Sequence, residues 1–147
     1  MKPIVSNQVG GGIGVYGEIE PISLANFAKK IAKLLPSTAG GVKVAGDPGR
    51  KVSRISVCAG AGDSLLSEAL VSQSDVYVTC DLRHHPASEF REQALLGGDT
   101  ALIDISHWAA EWIWLETAAT QLKAALPGVL VEISEINTDP WTFAVVQ

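Results

Sequence analysis

Runs of β-forming apolar residues alternate with helix-forming segments along most of this chain, and this alternation constrains the fold more than any other feature. The strand candidates are 14–19, weakened by its glycines, and 42–45, 54–58, 75–79, 101–103 and 129–133. Apolar residues recur at helical spacing from Ser23 to Pro36, over 65–70, over 87–95, and from Ser106 to about Leu126. The alternation predicts an α/β fold, a layered α/β/α domain with a mixed, mostly parallel sheet.

Two boundaries follow from glycine and turn chemistry. Residues 1–12 end in three glycines and show no periodicity, so an irregular lead-in is expected before a single domain at 13–147. The turn at 46–49 predicts that the strands at 42–45 and 54–58 are neighbours. With 147 residues and 47% apolar content, the chain is long enough for one full hydrophobic core.

Composition excludes several classes of partner. The formal net charge is -5 and the basic residues are scattered, which argues against binding to a nucleic-acid backbone. No apolar run reaches the roughly 18 residues that a membrane span requires. Cys58 and Cys80 are the only cysteines and are interpreted as small buried residues, so a cytoplasmic location is expected.

Polar residues follow three of the predicted strands at the point where each strand ends. These segments are 60–63, 81–85 and 104–107, and they include all three histidines of the chain. Because the carboxyl ends of parallel strands meet at one edge of a sheet, the three segments are expected to share a crevice.

His107 and Glu111 are the strongest candidates for metal ligands. Residues four apart lie on one face of a helix, and an imidazole with a carboxylate suits one divalent cation. A surface hydrogen bond within the helix is the alternative, and a catalytic metal needs about three protein donors. His84 and His85 are less certain ligands, since they could equally face solvent or cap a helix.

The glycine-rich segment 58–64 and the pair Trp108 and Trp112 each leave two interpretations open. The segment could hold an anion at a helix N-terminus, or it could be a tight turn capped by Asp63 or Ser64. Trp108 and Trp112 stand four apart, which favours helix packing or a subunit interface over substrate stacking. Trp141 follows a turn and is expected to anchor the core.

Four motifs in order resemble one known family. They are Val57-Cys58-Ala59-Gly60-Ala61-Gly62-Asp63-Ser64, the segment 75–85, Ile103-Asp104-Ile105-Ser106-His107-Trp108-Ala109-Ala110-Glu111, and Asn137-Thr138-Asp139-Pro140-Trp141. The family comprises the dinuclear-metal proteins called GTP cyclohydrolase I type 2 homologues, or NGG-interacting-factor-like proteins. The resemblance runs from about Gly14 onward and is to the C-terminal portion of the family.

This resemblance implies specific roles. It assigns His107 and Glu111 as metal ligands and places Asp81 and His85 in the same cleft, as candidates for proton transfer or substrate placement. It also implies layered α/β subunits that form toroidal homohexamers. Family members carry an N-terminal half with a His-His pair and a bridging Asp, and this chain begins too late to contain them. Val15 also stands where an arginine is often found.

The function expected from these observations is metal-dependent and hydrolase-like. The cofactor would be a divalent ion, zinc, manganese or iron, and the substrate a nucleotide or phosphoester. The chain alone is expected to be inactive, because half the ligand set is absent. The rival expectation is a non-enzymatic assembly or regulatory module with a structural metal, whose partners dock on Trp108, Trp112 and Leu115.

Overall fold

A computed structural model describes residues 1–145, which form a six-stranded sheet with helices on both faces. The strands are β1 (Lys2–Ser6), β2 (Gly12–Ser23), β3 (Lys43–Ala45), β4 (Lys51–Ala61), β5 (Val76–Cys80) and β6 (Ala101–Ile105). The helices are α1 (Leu24–Leu34), α2 (Ala69–Ser72), α3 (His84–Gln93), α4 (His107–Trp112) and α5 (Leu115–Ala125). No helix among residues 1–145 combines the length and hydropathy needed to cross a membrane.

The sheet is mixed, with its parallel part at the centre. Its strand order is β1-β2-β4-β5-β6-β3. Strands β4, β5 and β6 are parallel, whereas β1, β2 and β3 pair antiparallel with their neighbours. The predicted α/β fold is confirmed, and parallel pairing is confined to the three central strands.

Two layers of helices cover the two faces of the sheet. Val78 and Ile103 point to the face that α1 and α4 cover, in a cluster with Leu24 and Ala110. Tyr77 and Leu102 point to the other face, where α2 and α3 contribute Val71 and Phe90. Every residue of β5 is buried, as a central parallel strand requires.

The N-terminal residues do not form an irregular lead-in, so that prediction is wrong for residues 2–6. They form edge strand β1, which pairs antiparallel with β2. The side chain of Ile4 is buried in the core on the face that α2 and α3 cover. Gly10 and Gly11 lie in the hairpin turn, where the amide of Gly11 donates to Oδ1 of Asn7 (2.8 Å), and Gly12 begins β2. Glycines are typical both of irregular loops and of tight hairpin turns. The sequence of this segment alone does not distinguish the two, because a hairpin depends on pairing between its two strands.

The predicted pairing of the strand at 42–45 with the next strand is also wrong. Both edges of β4 are occupied, by β2 and by β5. Strand β3 therefore lies at the far edge of the sheet and pairs antiparallel with β6, with Lys43 opposite Asp104.

The predicted long helix from Ser106 is interrupted, and the predicted strand after it is absent. Helix α4 ends at Trp112, and α5 begins at Leu115. Residues 129–139 adopt no regular secondary structure, and Leu130 is 82% exposed. No strand within residues 1–145 pairs with residues 129–133. Alternating apolar residues were therefore not enough to form a strand there.

Asp75 joins β4 to the start of β5 through a dense set of hydrogen bonds. Its Oδ2 accepts from the amides of Ser53 (2.8 Å) and Arg54 (2.9 Å), and its Oδ1 accepts from Nη2 of Arg54 (2.7 Å). Burial opposes ionisation, but the hydrogen bonds from Arg54 and Ser53 outweigh it and hold the pKa of Asp75 well below its usual range.

We expect Asp75→Asn to lower the free energy of unfolding at pH 7 by about 1 to 3 kcal/mol, because it removes charge-assisted hydrogen bonds. The pKa of Asp75 is depressed in the folded state, so its contribution is complete above about pH 4 and is lost as the pH falls below that value. Urea denaturation of both proteins between pH 3 and pH 7 measures this, and the difference between them should shrink toward pH 3. Asp99→Asn, at an 84% exposed side chain, is the control. A constant difference across the pH range would contradict this account.

Candidate functional site

The carboxyl ends of the three parallel strands meet, as the sequence predicted. Ala61 pairs with Cys80, and Cys80 pairs with Ile105 across the sheet. Asp81 and His107 follow the ends of β5 and β6, and Gly60 lies beside them at the end of β4. The parallel register therefore creates the shared crevice.

Helix α4 carries the two predicted metal ligands. Ser106 is its N-cap and accepts a hydrogen bond from the amide of Ala109 (3.3 Å). The cap begins the helix at His107, so Glu111 stands one turn further along on the same face. The Ser106 hydroxyl also donates to Oδ1 of Asp139 (2.6 Å), which ties the C-terminal segment to the start of the helix.

His107 lies between two carboxylates. Its Nδ1 is 2.6 Å from Oδ2 of Asp81, and its Nε2 is 2.9 Å from Oε1 of Glu111. The side chains of His107, Asp81 and Glu111 are 37%, 59% and 61% exposed, so the cluster is open to solvent.

These contacts raise the pKa of His107 above its usual value. The largest cause is the hydrogen bond to Asp81; burial opposes it, and Glu111 adds to the increase. Both ring nitrogens can then donate to carboxylate oxygens. A divalent cation would replace the proton between Nε2 and Glu111, while Nδ1–H would remain bonded to Asp81.

Asp81 has an unusual backbone conformation. Its φ is 52°, in the left-handed region that aspartate and asparagine tolerate better than most residues. It stands between the last residue of β5 and the start of α3 at His84. The sharp turn there places its carboxylate against His107.

Gly60 brings the backbone of β4 close to the same two ligands. A Cβ at this position would lie 3.6 Å from Nε2 of His107 and 3.9 Å from Oε1 of Glu111, and φ is +127°. The hydroxyl of Thr79 holds the strand there by donating to the carbonyl of Gly60 (2.9 Å). Sequence reasoning placed this segment in the crevice but gave Gly60 no role; a glycine within a strand was the available indication.

The residues present fit part of a metal site. Two donors bound to one ion at about 2.0 to 2.2 Å lie roughly 3 Å apart when they are adjacent, close to the spacing of His107 and Glu111. A carboxylate on the other ring nitrogen, here Asp81, is the usual outer-shell partner of a metal-binding histidine. Within residues 1–145, no group of three or more His, Cys, Asp or Glu side chains is arranged to hold an ion. The described residues therefore offer two of the donors that such a site would need.

Two other predicted candidates lie outside this cluster. His85 is exposed in the first turn of α3, where its ring meets His84 edge-on at 5.5 Å; among the described side chains it hydrogen-bonds to none. Asp104 forms an ion pair with Lys43 and accepts from the amide of Leu82 (3.2 Å). The structure therefore groups Asp81, but not His85, with His107.

The two cysteines are free and buried, as predicted. The sulfur of Cys80 accepts a hydrogen bond from the amide of Gly60 (3.4 Å). Burial raises the pKa of Cys80 to about 11, which keeps the thiol neutral at pH 7. Cys80 is thus part of the support beneath the site.

The glycine-rich segment forms a tight turn, as in the second interpretation, but the cap expected there from Asp63 or Ser64 is wrong. Strand β4 continues to Ala61, and only a single 3-10 turn follows, without a side-chain cap from Asp63 or Ser64. Tyr77 donates its hydroxyl to the carbonyl of Gly62 (2.9 Å), and Asp63 pairs with Arg83. These contacts fix the carbonyl of Gly62 and place the Asp63–Arg83 ion pair beside the turn.

A groove lined with tryptophans adjoins Glu111. We name it the tryptophan groove; its volume is about 660 Å³ and its lining includes Ala59, Trp108, Glu111, Trp112, Trp114 and Leu115. The rings of Trp108 and Trp112 are 6.4 Å apart and tilted by 44°. The indole N–H of Trp112 donates to the carbonyl of Ser134 (3.1 Å).

A separate cleft of about 280 Å³ has His107 itself in its lining. Asp81, Trp108, Asp139 and Trp141 are among its lining residues. Trp141 is 71% exposed, so its predicted role as a core anchor is wrong. Oδ2 of Asp139 is buried without a hydrogen-bond partner among the described atoms.

Comparisons with known proteins agree on one family. The model of the Duf34/NIF3 (NGG1p interacting factor 3) family matches residues 2–140. A Mycobacterium leprae protein named GTP cyclohydrolase 1 type 2 homolog is 46% identical over 88% of this chain and 33% of its own length. A protein of the same name from Streptomyces coelicolor is 40% identical over 89% of this chain and 46% of its own.

Solved structures have the same fold. A Staphylococcus aureus protein matches with a TM-score of 0.71 at 32% identity, over 90% of this chain and 42% of the other. A Bacillus cereus protein related to NIF3 matches with a TM-score of 0.72 at 24% identity, over 90% of this chain and 36% of the other.

The chain thus spans between a third and a half of the length of these relatives. The family model covers nearly all of it, and the relatives align over most of it at 40–46% identity. The chain therefore belongs to the Duf34/NIF3 family.

Proposed function

We propose that this chain carries half of a divalent-metal site in a metal-dependent hydrolase that acts on a nucleotide or another phosphoester. His107 and Glu111 would be the protein ligands, and zinc, manganese or iron the ion. The observation that supports this most strongly is the spacing of 2.9 Å between Nε2 of His107 and Oε1 of Glu111 on an exposed helix face.

Asp81 has a positioning role in this proposal. Its Oδ2 accepts from Nδ1 of His107. The other ring nitrogen, Nε2, then faces Glu111, where the ion would bind. This fixes the tautomer that binds metal and increases the basicity of the ring. In place of the proton transfer or substrate placement expected for Asp81, this proposal assigns it the orientation of a metal ligand.

His85 remains a prediction for proton transfer or substrate contact. It lies four residues after Asp81 on an exposed helix start, so it is accessible to a bound substrate. When bound, the divalent ion would supply Lewis acidity and lower the pKa of coordinated water toward neutrality. The described residues would supply ligand orientation through Asp81 and close backbone approach through Gly60.

Assembly is the second candidate function, and an exposed apolar surface favours it. Leu122, Leu126 and Leu130 are 47%, 49% and 82% exposed on α5 and the segment after it. We propose that this surface packs in a homo-oligomer, as the family resemblance implies, with the chain in the cytoplasm. Light scattering with and without a chelator separates the two functions, because an oligomer that persists without metal favours assembly alone.

Glu111→Gln should abolish most divalent-metal binding, because an amide is a weaker ligand than a carboxylate. We expect zinc affinity to fall by at least about 100-fold, more than the loss of an outer-shell partner causes. Calorimetric titration measures the affinity, and any metal-dependent hydrolysis of a phosphoester reporter should fall with it. Glu116→Gln, one turn beyond in α5, is the matched control. Unchanged metal binding and unchanged hydrolysis in Glu111→Gln would refute the proposal.

Asp81→Asn should weaken metal binding by roughly 10- to 100-fold without unfolding the protein, because only the outer-shell charge is lost. Asparagine also tolerates a left-handed backbone. Asp99→Asn is a close control, since Asp99 has a similar φ of 60° and an exposed side chain. Equal metal affinity in the two variants would show that Asp81 does not orient the ligand.

A further inference from the structure

The C-terminal segment 134–141, which we name the strap, is tied to both ends of α4. At the start of the helix, the Ser106 hydroxyl donates to Oδ1 of Asp139 (2.6 Å). At its last residue, the indole N–H of Trp112 donates to the carbonyl of Ser134 (3.1 Å). The strap therefore runs antiparallel to the helix that carries both candidate metal ligands.

Short-range contacts within the strap orient Asp139. Oδ1 of Asn137 accepts from the amide of Asp139 (2.8 Å), the side-chain-to-backbone bond that asparagine forms in turns. Pro140 follows, and a proline favours an extended backbone at the residue before it. The motif Asn137-Thr138-Asp139-Pro140-Trp141 therefore presents one carboxylate to the start of α4.

Two features distinguish the Asp139 contact from an ordinary surface tether. Its distance of 2.6 Å from the Ser106 hydroxyl is typical of a hydrogen bond to a charged acceptor, which is stronger than a neutral one. The other oxygen of the carboxylate, Oδ2, is buried with no hydrogen-bond partner among the described atoms. Burying a polar atom in this way lowers stability, a cost that an exposed tether would not have.

The contact orients the N-cap of α4. A serine hydroxyl has one proton to donate, and that of Ser106 goes to Asp139. The lone pairs of the same oxygen then remain for the amide of Ala109, which donates to it at 3.3 Å. Because the cap determines where the helix begins, it also sets the position of His107, the first helical residue, relative to Asp81.

We propose that Asp139 is a positioning residue of the candidate metal site. It fixes the start of α4 through Ser106, and so holds His107 and Glu111 in the geometry that an ion requires. The inference rests on the proposed function for its metal readout and extends that function from the ligands to the strap. Trp141, two residues after Asp139, lines the same cleft as His107, so the strap also forms part of the wall beside the ring.

Calorimetric zinc titration of Asp139→Leu and Asp139→Asn tests the proposal. Both variants lack the negative charge, and only asparagine keeps an acceptor for the Ser106 hydroxyl. We expect Asp139→Leu to weaken zinc binding about tenfold, the lower end of the effect of losing an outer-shell partner. Asp139→Asn should restore most of that loss. Glu135→Leu, which removes an exposed carboxylate of the same strap, should have no effect.

A double-mutant cycle separates positioning through the cap from a general loss of stability. If Asp139 acts through Ser106, Asp139→Leu should cause no further loss of zinc affinity in a Ser106→Ala background. A second readout needs no metal. By amide hydrogen exchange, Ala109 should exchange roughly fivefold faster in Asp139→Leu than in Glu135→Leu, the size of effect expected for a weakened helix cap.

The proposal is overturned if Asp139→Leu binds zinc as tightly as Glu135→Leu, if Asp139→Asn loses as much affinity as Asp139→Leu, or if the effect is undiminished in the Ser106→Ala background. Each of these results would leave the proposed metal site intact. A wild-type chain that binds no zinc refutes the metal site instead. The exchange of Ala109 then decides whether Asp139 positions α4: faster exchange in Asp139→Leu supports this, and equal rates in Asp139→Leu and Glu135→Leu overturn it.

Discussion

Parallel pairing of β5 with β4 and β6 is the constraint on which the candidate site depends. This pairing brings three carboxyl ends to one edge of the sheet, so residues separated by more than forty positions meet there. The buried apolar run of β5 fixes its place between its neighbours, since a strand buried on both faces cannot lie at an exposed edge. Asp75 secures the opposite end of the strand through Arg54 and Ser53.

The chemistry at that edge arises from short-range geometry. An N-cap serine begins α4 at His107, a left-handed aspartate turns Asp81 toward it, and Gly60 lets the backbone of β4 approach. Each of these three features lies within a few residues of a strand end. Together they hold one imidazole between two carboxylates, and they leave its outer side open to solvent.

Sequence reasoning succeeded where one local pattern decided the outcome. The helix predicted from Ser23 to Pro36, the apolar run of β5 and the spacing of His107 and Glu111 each depend on neighbouring residues, and the structure has them as expected. It failed where the structure of a segment depends on whether another strand lies beside it. Residues 2–6 become a strand only because β2 lies beside them, and 129–133 remains irregular because no strand does.

The site shows the same division. The convergence of strand ends followed from the α/β pattern, but the separation of Asp81 from His85 did not. Both residues follow β5, and only the left-handed turn at Asp81 determines which of them faces His107.

The measurement that tests the central claim most directly is the metal content of the purified chain, by plasma mass spectrometry, in wild type and in His107→Ala. The proteins would be prepared with zinc, manganese and iron supplied. The account predicts that wild type retains metal and that His107→Ala loses nearly all of it, with unchanged thermal unfolding to show that the fold is intact. A wild-type chain without metal, or equal metal in the variant, would contradict the claim that His107 and Glu111 form a metal half-site.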